Sequence, residues 1–299
     1  VNPWVLFLTW GLAFLALGQK SLPGQEQEAA KYTEEEYKAY QAVAAEANPA
    51  KKTGLAVTFL KTYPKSALTP NVIPEYQSGM NGLQKAQNWQ EIISLGHQFL
   101  AARSDDIFTI QMVATAYYGS KNYKQFVPFA EKVFAHKATP DTAFRLANAY
   151  LELKDDEKFL VWGERTAQLM PESYGILYEL TRKYGLMRDN AKAAKYAKMA
   201  LKALQTAKMP EGTPADTWKS YTTNIYATCY QVVGSVAFEN RDYNSAVANL
   251  ENALKYYKKN DLVYYNLGQS YWQLNKIDLA MLNLAKAYLL NGSTSRAAN

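Results

Sequence analysis

Few side chains in this chain could carry out acid–base or nucleophilic chemistry. It contains two histidines, His97 and His136, and one cysteine, Cys229. Such groups become catalytic when a second polar group activates them at a defined spacing. Neither histidine belongs to an HExxH pair, and a single cysteine allows no intramolecular disulfide, no CxxC pair and no thiolate metal cluster. We therefore expect both histidines to be structural and Cys229 to be a buried, inert thiol.

Other catalytic patterns are also missing from the sequence. There is no GxSxG nucleophile motif, no phosphate-binding glycine loop and no CxxCH haem motif. Adjacent carboxylates occur at Asp155 and Asp156, where the sequence predicts a turn between helices, so we expect them to cap a helix. We predict a protein that is not an enzyme, with no catalytic residue, no cofactor and no metal site.

Composition favours a folded protein that does not bind nucleic acid. Of 299 residues, 48% are hydrophobic and 20% are charged, which is typical of a chain with a buried core. The net charge is +6, but its basic residues are dispersed. The densest run, between Arg182 and Lys202, has the spacing of a solvated helix face rather than of a nucleic-acid-binding stripe.

A repeat of 34 residues organises the C-terminal part of the chain. Gly234 and Gly268 are separated by this interval. Residues of similar size recur at the same offset: Tyr230 with Tyr264, Val233 with Leu267, Ala246 with Ala280, Leu250 with Leu284, and Ala253 with Ala287. This period resembles the tetratricopeptide repeat, in which each unit is a pair of antiparallel helices that buries its apolar faces against neighbouring units.

The best-preserved unit begins at Asp261. In it, the small side chain of Gly268 allows the second helix of the pair to approach closely. Ala280, Leu284 and Ala287 form one stripe of that second helix because they are four and three residues apart. Earlier units are less regular, and the third needs a one-residue shift in its second helix to align. The resemblance implies an all-α, right-handed α-solenoid of about seven helical hairpins, in which the 23 tyrosines mostly fill gaps between repeats.

The repeats predict the following organisation: a signal peptide or membrane anchor at 1–18, a linker at 19–31, a divergent hairpin at 32–72, four repeats at 73–207, an insert and helix extension at 208–226, two well-preserved repeats at 227–294, and a tail at 295–299.

The N-terminal segment predicts export. Residues 4–17 form an apolar stretch of 14 positions, which is too short for an ordinary membrane span of about 20 residues and matches the core of a secretory signal. Ala16 and Gly18 fit a cleavage site before Gln19. We expect a periplasmic, cell-surface or extracellular protein. The alternative is a retained membrane anchor at residues 4–17, since no Lys or Arg precedes the apolar stretch.

A short motif agrees with export. The divergent first hairpin ends in Tyr63-Pro64-Lys65-Ser66. This ending is similar to the repeats of bacterial envelope proteins, including outer-membrane assembly lipoproteins and cell-division coordinators.

Two irregularities interrupt the repeats. Nineteen extra residues separate Ala200 from Ala253, and they contain Pro210, Gly212 and Pro214. Insertions in solenoids form loops, which either contribute to binding or are tolerated surface loops. At the C-terminal end we expect no polar capping helix, and this predicts an end-to-end contact through Tyr288, Leu289 and Leu290.

The resemblance also implies a peptide-binding groove lined by the first helices of the hairpins. By register, its residues are Gln111, Tyr118, Asn148, Tyr178, Arg182, Gln231, Phe238, Tyr265, Gln269 and Trp272. Aromatic and amide side chains suit an extended peptide; the alternative is that several of these aromatics only pack against the next repeat. The carboxylate clamp of chaperone-binding relatives is not expected, because only Arg145 and Asn148 match it.

The sequence therefore predicts an exported scaffold that binds a protein or peptide and assembles an envelope or cell-surface complex. One alternative is a structural protein that self-associates into a homo-oligomer or filament through its last repeat. A second is a membrane-anchored accessory subunit, which would contact the membrane only through an uncleaved N-terminal segment.

Overall fold

The computed structural model describes residues 32–297, and side chains up to residue 290. The predicted N-terminal signal or anchor at 1–18 and the linker at 19–31 lie outside the described residues. The described part consists of helices α1 Glu34–Ala45, α2 Pro49–Thr62, α3 Thr69–Lys85, α4 Trp89–Leu100, α5 Ile107–Gly119, α6 Tyr123–His136, α7 Pro140–Glu152, α8 Asp156–Leu169, α9 Tyr174–Leu186, α10 Asn190–Thr206, α11 Ala215–Glu239, α12 Tyr243–Tyr256, α13 Asp261–Gln273 and α14 Ile277–Ala297.

Within residues 32–297, consecutive helices pair as seven hairpins, and each hairpin packs on the next. The prediction of an all-α solenoid of about seven hairpins is confirmed. None of the described helices is both long enough and apolar enough to cross a membrane.

The turn inside six of the hairpins has one construction. One residue adopts a positive φ of 53° to 63°, which ends the first helix, and the chain then enters the second helix. The backbone N–H of the following residue donates to a carbonyl five residues earlier, as from Asn122 to Tyr117 over 2.8 Å. The side chain at this next position commonly caps the second helix, as Asp155 does by accepting from the Lys158 N–H. The residues with positive φ are Gln87, Lys121, Lys154, Arg188, Arg241 and Asn275.

The positions of these turns show where the third of the earlier repeats is one residue shorter than the others. Lys121 and Lys154 are 33 residues apart, whereas Lys154 and Arg188 are 34 apart. The interval from the start of α7 to the start of α8 is the same 16 residues as from α5 to α6. The missing residue therefore belongs to the short connection between α6 and α7, and not to the second helix of that unit, where the sequence alignment placed it.

First helices lie on the inner side of the stack. The pairs α1 and α3, α3 and α5, α7 and α9, α9 and α11, and α11 and α13 are in contact. Among second helices of the described residues, only α2 and α4 make a comparable contact. Because first helices lie closer together than second helices, the surface they form is the concave one, and side chains there converge on a common space.

Aromatic and small side chains fill the spaces between hairpins. Buried residues form three apolar clusters, one over the first five helices, one from α5 to α11 and one over the last three. Helix α5 contributes Met112 to the first cluster and Val113 to the second, so the core continues from hairpin to hairpin. Tyr76 is an example of a tyrosine that fills the core. It is fully buried, and its ring stacks on Phe99 with centroids 4.1 Å apart.

Candidate functional site

The cysteine and the two histidines do not form a common site. Cys229 is fully buried in α11, and burial raises the pKa of its thiol to about 12 despite a hydrogen bond with Thr181. The thiolate is the reactive form, so this thiol is inert at neutral pH. His97 Nε2 lies 2.7 Å from the Tyr117 hydroxyl, and His136 is exposed at the end of α6. The described residues contain no group of three His, Cys, Asp or Glu side chains that could hold a metal ion.

The predicted groove residues of α5 and α7 are connected to one another. Tyr118 is half-buried and hydrogen-bonds Asn148, and the Arg145 guanidinium lies 5.1 Å from the Tyr118 ring centroid. Arg145 also pairs with Asp141, with Nε and Oδ2 2.9 Å apart. Gln111 is exposed one helical turn from Thr115. The two clamp-like residues, Arg145 and Asn148, are therefore engaged within the protein.

On α9 the two predicted groove residues differ in role. Tyr178 is only 6% exposed, and its hydroxyl accepts a hydrogen bond of 2.9 Å from the Asn224 amide. Tyr178 therefore packs α9 against α11 and presents little surface to a ligand. Arg182 remains at the surface, where it pairs with Glu179 at 2.8 Å and lies over the Tyr178 ring.

Toward the C-terminal end the predicted groove becomes more open. The Gln231 amide oxygen accepts a hydrogen bond of 2.9 Å from Asn260, and half-buried Phe238 packs beside Tyr243. Gln269 is half-buried, whereas Tyr265 and Trp272 are 49% and 52% exposed. Two large aromatic side chains thus stand at the surface of α13, seven residues apart.

Two cavities lie on the concave surface beside the first part of α11. We call the first the aromatic pocket; it has a volume of about 460 Å³ and is lined by Phe144, Asn148, Leu151, Met170, Glu172, Ser173, Tyr174, Gly175, Ile176, Glu179 and Tyr221. We call the second the polar notch; it has about 490 Å³ and is lined by Ser220, Thr223, Asn224, Ala227, Thr228, Gln231, Ala253, Tyr256, Tyr257, Asn260 and Val263. Each contains one of the predicted groove residues, Asn148 in the first and Gln231 in the second.

Sequence reasoning missed the aromatic group at the aromatic pocket, to which Tyr174 and Tyr221 contribute lining side chains. Tyr174, Trp218 and Tyr221 form one aromatic group, with the Tyr174 ring centroid 5.8 Å from Trp218 and 6.3 Å from Tyr221. Trp218 and Tyr221 are three residues apart inside the predicted insert, which is the spacing of one helix face. This spacing was the available signal; the predicted helix extension covered these two residues but assigned them no role.

Comparisons with known proteins support the repeat. The tetratricopeptide repeat family matches residues 262–294. Among solved structures, the crystal structure of MamA has 14% identity over 62% of this chain and 97% of its own, with a TM-score of 0.41. MamA 41-end from Desulfovibrio magneticus RS-1 has 12% identity over 63% of this chain and 97% of its own, with a TM-score of 0.39. No curated protein matches the chain significantly.

The structural matches are too distant to inform on partners, whereas the family match coincides with the hairpin of α13 and α14. Tetratricopeptide repeats bind protein partners and are typically not catalytic. This chain carries a tetratricopeptide repeat at residues 262–294, and it folds as an all-α solenoid of tetratricopeptide-like hairpins.

Proposed function

We propose that this protein is an exported, non-enzymatic scaffold that binds an extended segment of a partner protein on its concave surface. The observation that carries the proposal is the pair of exposed aromatic side chains on first helix α13, Tyr265 and Trp272, with the half-buried amide of Gln269 between them in sequence. Exposed aromatic side chains supply the apolar anchors of peptide recognition, and amides hydrogen-bond the peptide backbone. Export rests on the apolar segment at residues 4–17.

Partner capture tests the binding part of this proposal. The tagged protein is expressed in its native cells, and co-purifying proteins are quantified by mass spectrometry. We expect a partner retained by the wild type and depleted at least tenfold by Tyr265→Ala combined with Trp272→Ala. Val161→Ala is the matched control, because Val161 is 46% exposed on a second helix. Equal recovery with all three proteins would contradict binding through the concave surface.

Export and the absence of catalysis have separate tests. The intact mass of the native protein shows whether residues 1–18 are removed; their retention would favour the anchored accessory subunit instead. For catalysis, turnover by the purified protein that is lost on replacing His97 or Cys229 would contradict a non-enzymatic role.

Self-association is a second candidate function, favoured by an exposed apolar surface on the last hairpin. Tyr288 and Leu289 are 76% and 69% exposed, and Leu290 is half-buried beside them. A cavity of about 440 Å³ adjoins this surface, between Leu262 and Tyr265 of α13 and Ala287 of α14. Apolar surface of this kind is typical of an interface.

Light scattering on the purified protein separates this candidate from the first. Self-association predicts a mass that increases with protein concentration and returns to the monomer value in Tyr288→Glu combined with Leu289→Glu. A monomeric wild type at millimolar concentration would eliminate it.

A further inference from the structure

Residues 208–214 of the predicted insert form a loop, and the rest of the insert forms the first part of helix α11. Helices α5, α7, α9 and α13 each have 13 residues, whereas α11 has 25. The additional N-terminal segment of α11, residues 215–226, adds about 18 Å at 1.5 Å per residue. We call it the α11 extension.

The α11 extension is held against α9 by specific contacts. Trp218 and Tyr221 pack on Tyr174, and the Asn224 amide donates to the Tyr178 hydroxyl. A side chain at Gly175 would place its Cβ 3.2 Å from the Tyr221 hydroxyl, so the glycine makes room for this ring. The extension is therefore a docked wall of the concave surface, and Tyr221 on it is still 41% exposed toward the aromatic pocket.

The lining of the aromatic pocket has a definite charge. It contains two carboxylates, Glu172 and Glu179, and no Lys or Arg side chain. Glu179 already pairs with Arg182. The Glu172 carboxylate makes no hydrogen bond or ion pair with the described residues, although it also borders a smaller cavity that includes Lys202.

Apart from Asn148 and Ser173, the remaining wall is apolar and aromatic. Phe144 of α7, Ile176 of α9 and Tyr221 of α11 face the same cavity, and its volume of about 460 Å³ accommodates a long side chain. The Tyr221 hydroxyl is neutral at physiological pH, and burial raises its pKa further, to about 12. A ligand here meets aromatic surface and at least one unpaired negative charge.

We propose that the aromatic pocket receives a Lys or Arg side chain from the extended peptide segment of the partner. Such a side chain has an apolar stem, which packs on the rings, and a cationic head, which is attracted by Glu172 and by the aromatic faces. Glu172 is exposed at the edge of the pocket; it would repel an acidic side chain and would add no attraction for an uncharged one. The inference rests on the proposed function, because it names what the peptide must contain.

Peptide selection on the full chain tests the proposal. A displayed library of random dodecapeptides is selected on the wild-type protein, and the consensus peptide is synthesised. We expect enrichment of Lys or Arg next to apolar residues. In the synthetic peptide, replacing that residue by norleucine, which keeps the stem and removes the charge, should weaken binding at least fivefold by fluorescence anisotropy.

Protein variants locate the interaction. Glu172→Lys should weaken binding of the Lys or Arg peptide about tenfold and leave the norleucine peptide nearly unchanged, because only the charge interaction is reversed. Glu157→Lys is the matched control, since it makes the same charge change on the exposed first turn of α8. Tyr221→Phe should retain binding and Tyr221→Ala should lose it; circular dichroism checks that both remain folded.

The outcomes separate this inference from the proposed function. Selected peptides that bind equally well with norleucine, or that respond equally to Glu172→Lys and Glu157→Lys, would overturn the cationic pocket and leave peptide binding intact. If no peptide is enriched and partner capture is also negative, the proposed function fails together with the inference.

Discussion

At the scale of single residues, one hydrogen bond recurs between successive hairpins. A tyrosine near the end of a first helix bonds a side chain on the preceding second helix, 19 or 20 residues earlier in sequence. The pairs are Tyr117 with His97, Tyr150 with Glu131, Tyr184 with Glu164, and Tyr271 with Glu251, at 2.5 to 2.7 Å. His97 thus takes the position of a carboxylate in this series, which is a structural role.

Tyr150→Phe should destabilise the protein by about 1–2 kcal/mol. The variant removes a hydrogen bond of 2.7 Å to Glu131, and a bond to a charged acceptor contributes about 1.5–3 kcal/mol when well buried. The expected loss lies at the lower end of this range or below it because Glu131 is partly exposed to solvent. Urea unfolding followed by circular dichroism measures the change. Tyr257→Phe is the control, because Tyr257 is 53% exposed; equal effects of the two variants would contradict the role of the bond.

At the scale of helices, a glycine sets the distance within the last two hairpins. A Cβ built on Gly268 would lie 2.8 Å from Leu284 Cγ and 3.1 Å from the Ala280 carbonyl oxygen, and one on Gly234 would lie 2.7 Å from Leu250 Cγ. All three distances are shorter than ordinary van der Waals contact. The prediction that Gly268 allows close approach of the second helix is confirmed, and Gly234 has the same role one period earlier.

Gly268→Ala should destabilise the protein by about 1–3 kcal/mol, because the added methyl group forces α13 and α14 apart. Gly185→Ala is the control, and its expected effect on stability has the opposite sign. No atom lies within 4 Å of the position of its Cβ, and the substitution in an exposed helix should stabilise by about 0.5–1 kcal/mol. Thermal unfolding of the two variants should therefore shift in opposite directions, and a shift in the same direction would refute the steric explanation.

At the scale of the whole molecule, tyrosine burial makes stability depend on alkaline pH. Burial is the main cause that raises the pKa of eleven tyrosines, to about 12 for Tyr221 and Tyr271. The others are Tyr76, Tyr117, Tyr118, Tyr150, Tyr174, Tyr184, Tyr196, Tyr226 and Tyr230. Above a pH of about 10, the unfolded chain ionises its tyrosines while the folded protein keeps them neutral.

The free energy of unfolding should therefore be constant with respect to these groups below pH 10 and fall between pH 10 and 12. A fully buried tyrosine contributes a slope of up to roughly 1.4 kcal/mol per pH unit, and partly exposed ones contribute less because solvent screens them. Urea midpoints at pH 8, 10 and 11 measure the loss. Tyr76→Phe should reduce the slope relative to the wild type, since Tyr76 is fully buried, and an unchanged slope would contradict this origin.

Several features could be predicted from sequence because they depend on local periodicity. The stripe of Ala280, Leu284 and Ala287 and the paired glycines identify helices that must pack on neighbours, and an open stack of such pairs is the solution that buries every apolar face. The groove could be predicted only in part. Register places Tyr178 on a first helix, but its 6% exposure depends on Asn224, which lies 46 residues away in sequence.

The sequence by itself determined the repeat, the helical hairpins, their number and the lack of a catalytic motif, because these follow from residue spacing along one helix or one turn. Only the tertiary structure decided what the insert does. Pro210, Gly212 and Pro214 lie in the loop that precedes α11, as their residue types indicate, but the contacts of Trp218 and Tyr221 with Tyr174 of α9 depend on how the hairpins pack. The aromatic pocket exists because residues from three hairpins converge there, and no periodicity within one helix can encode that convergence.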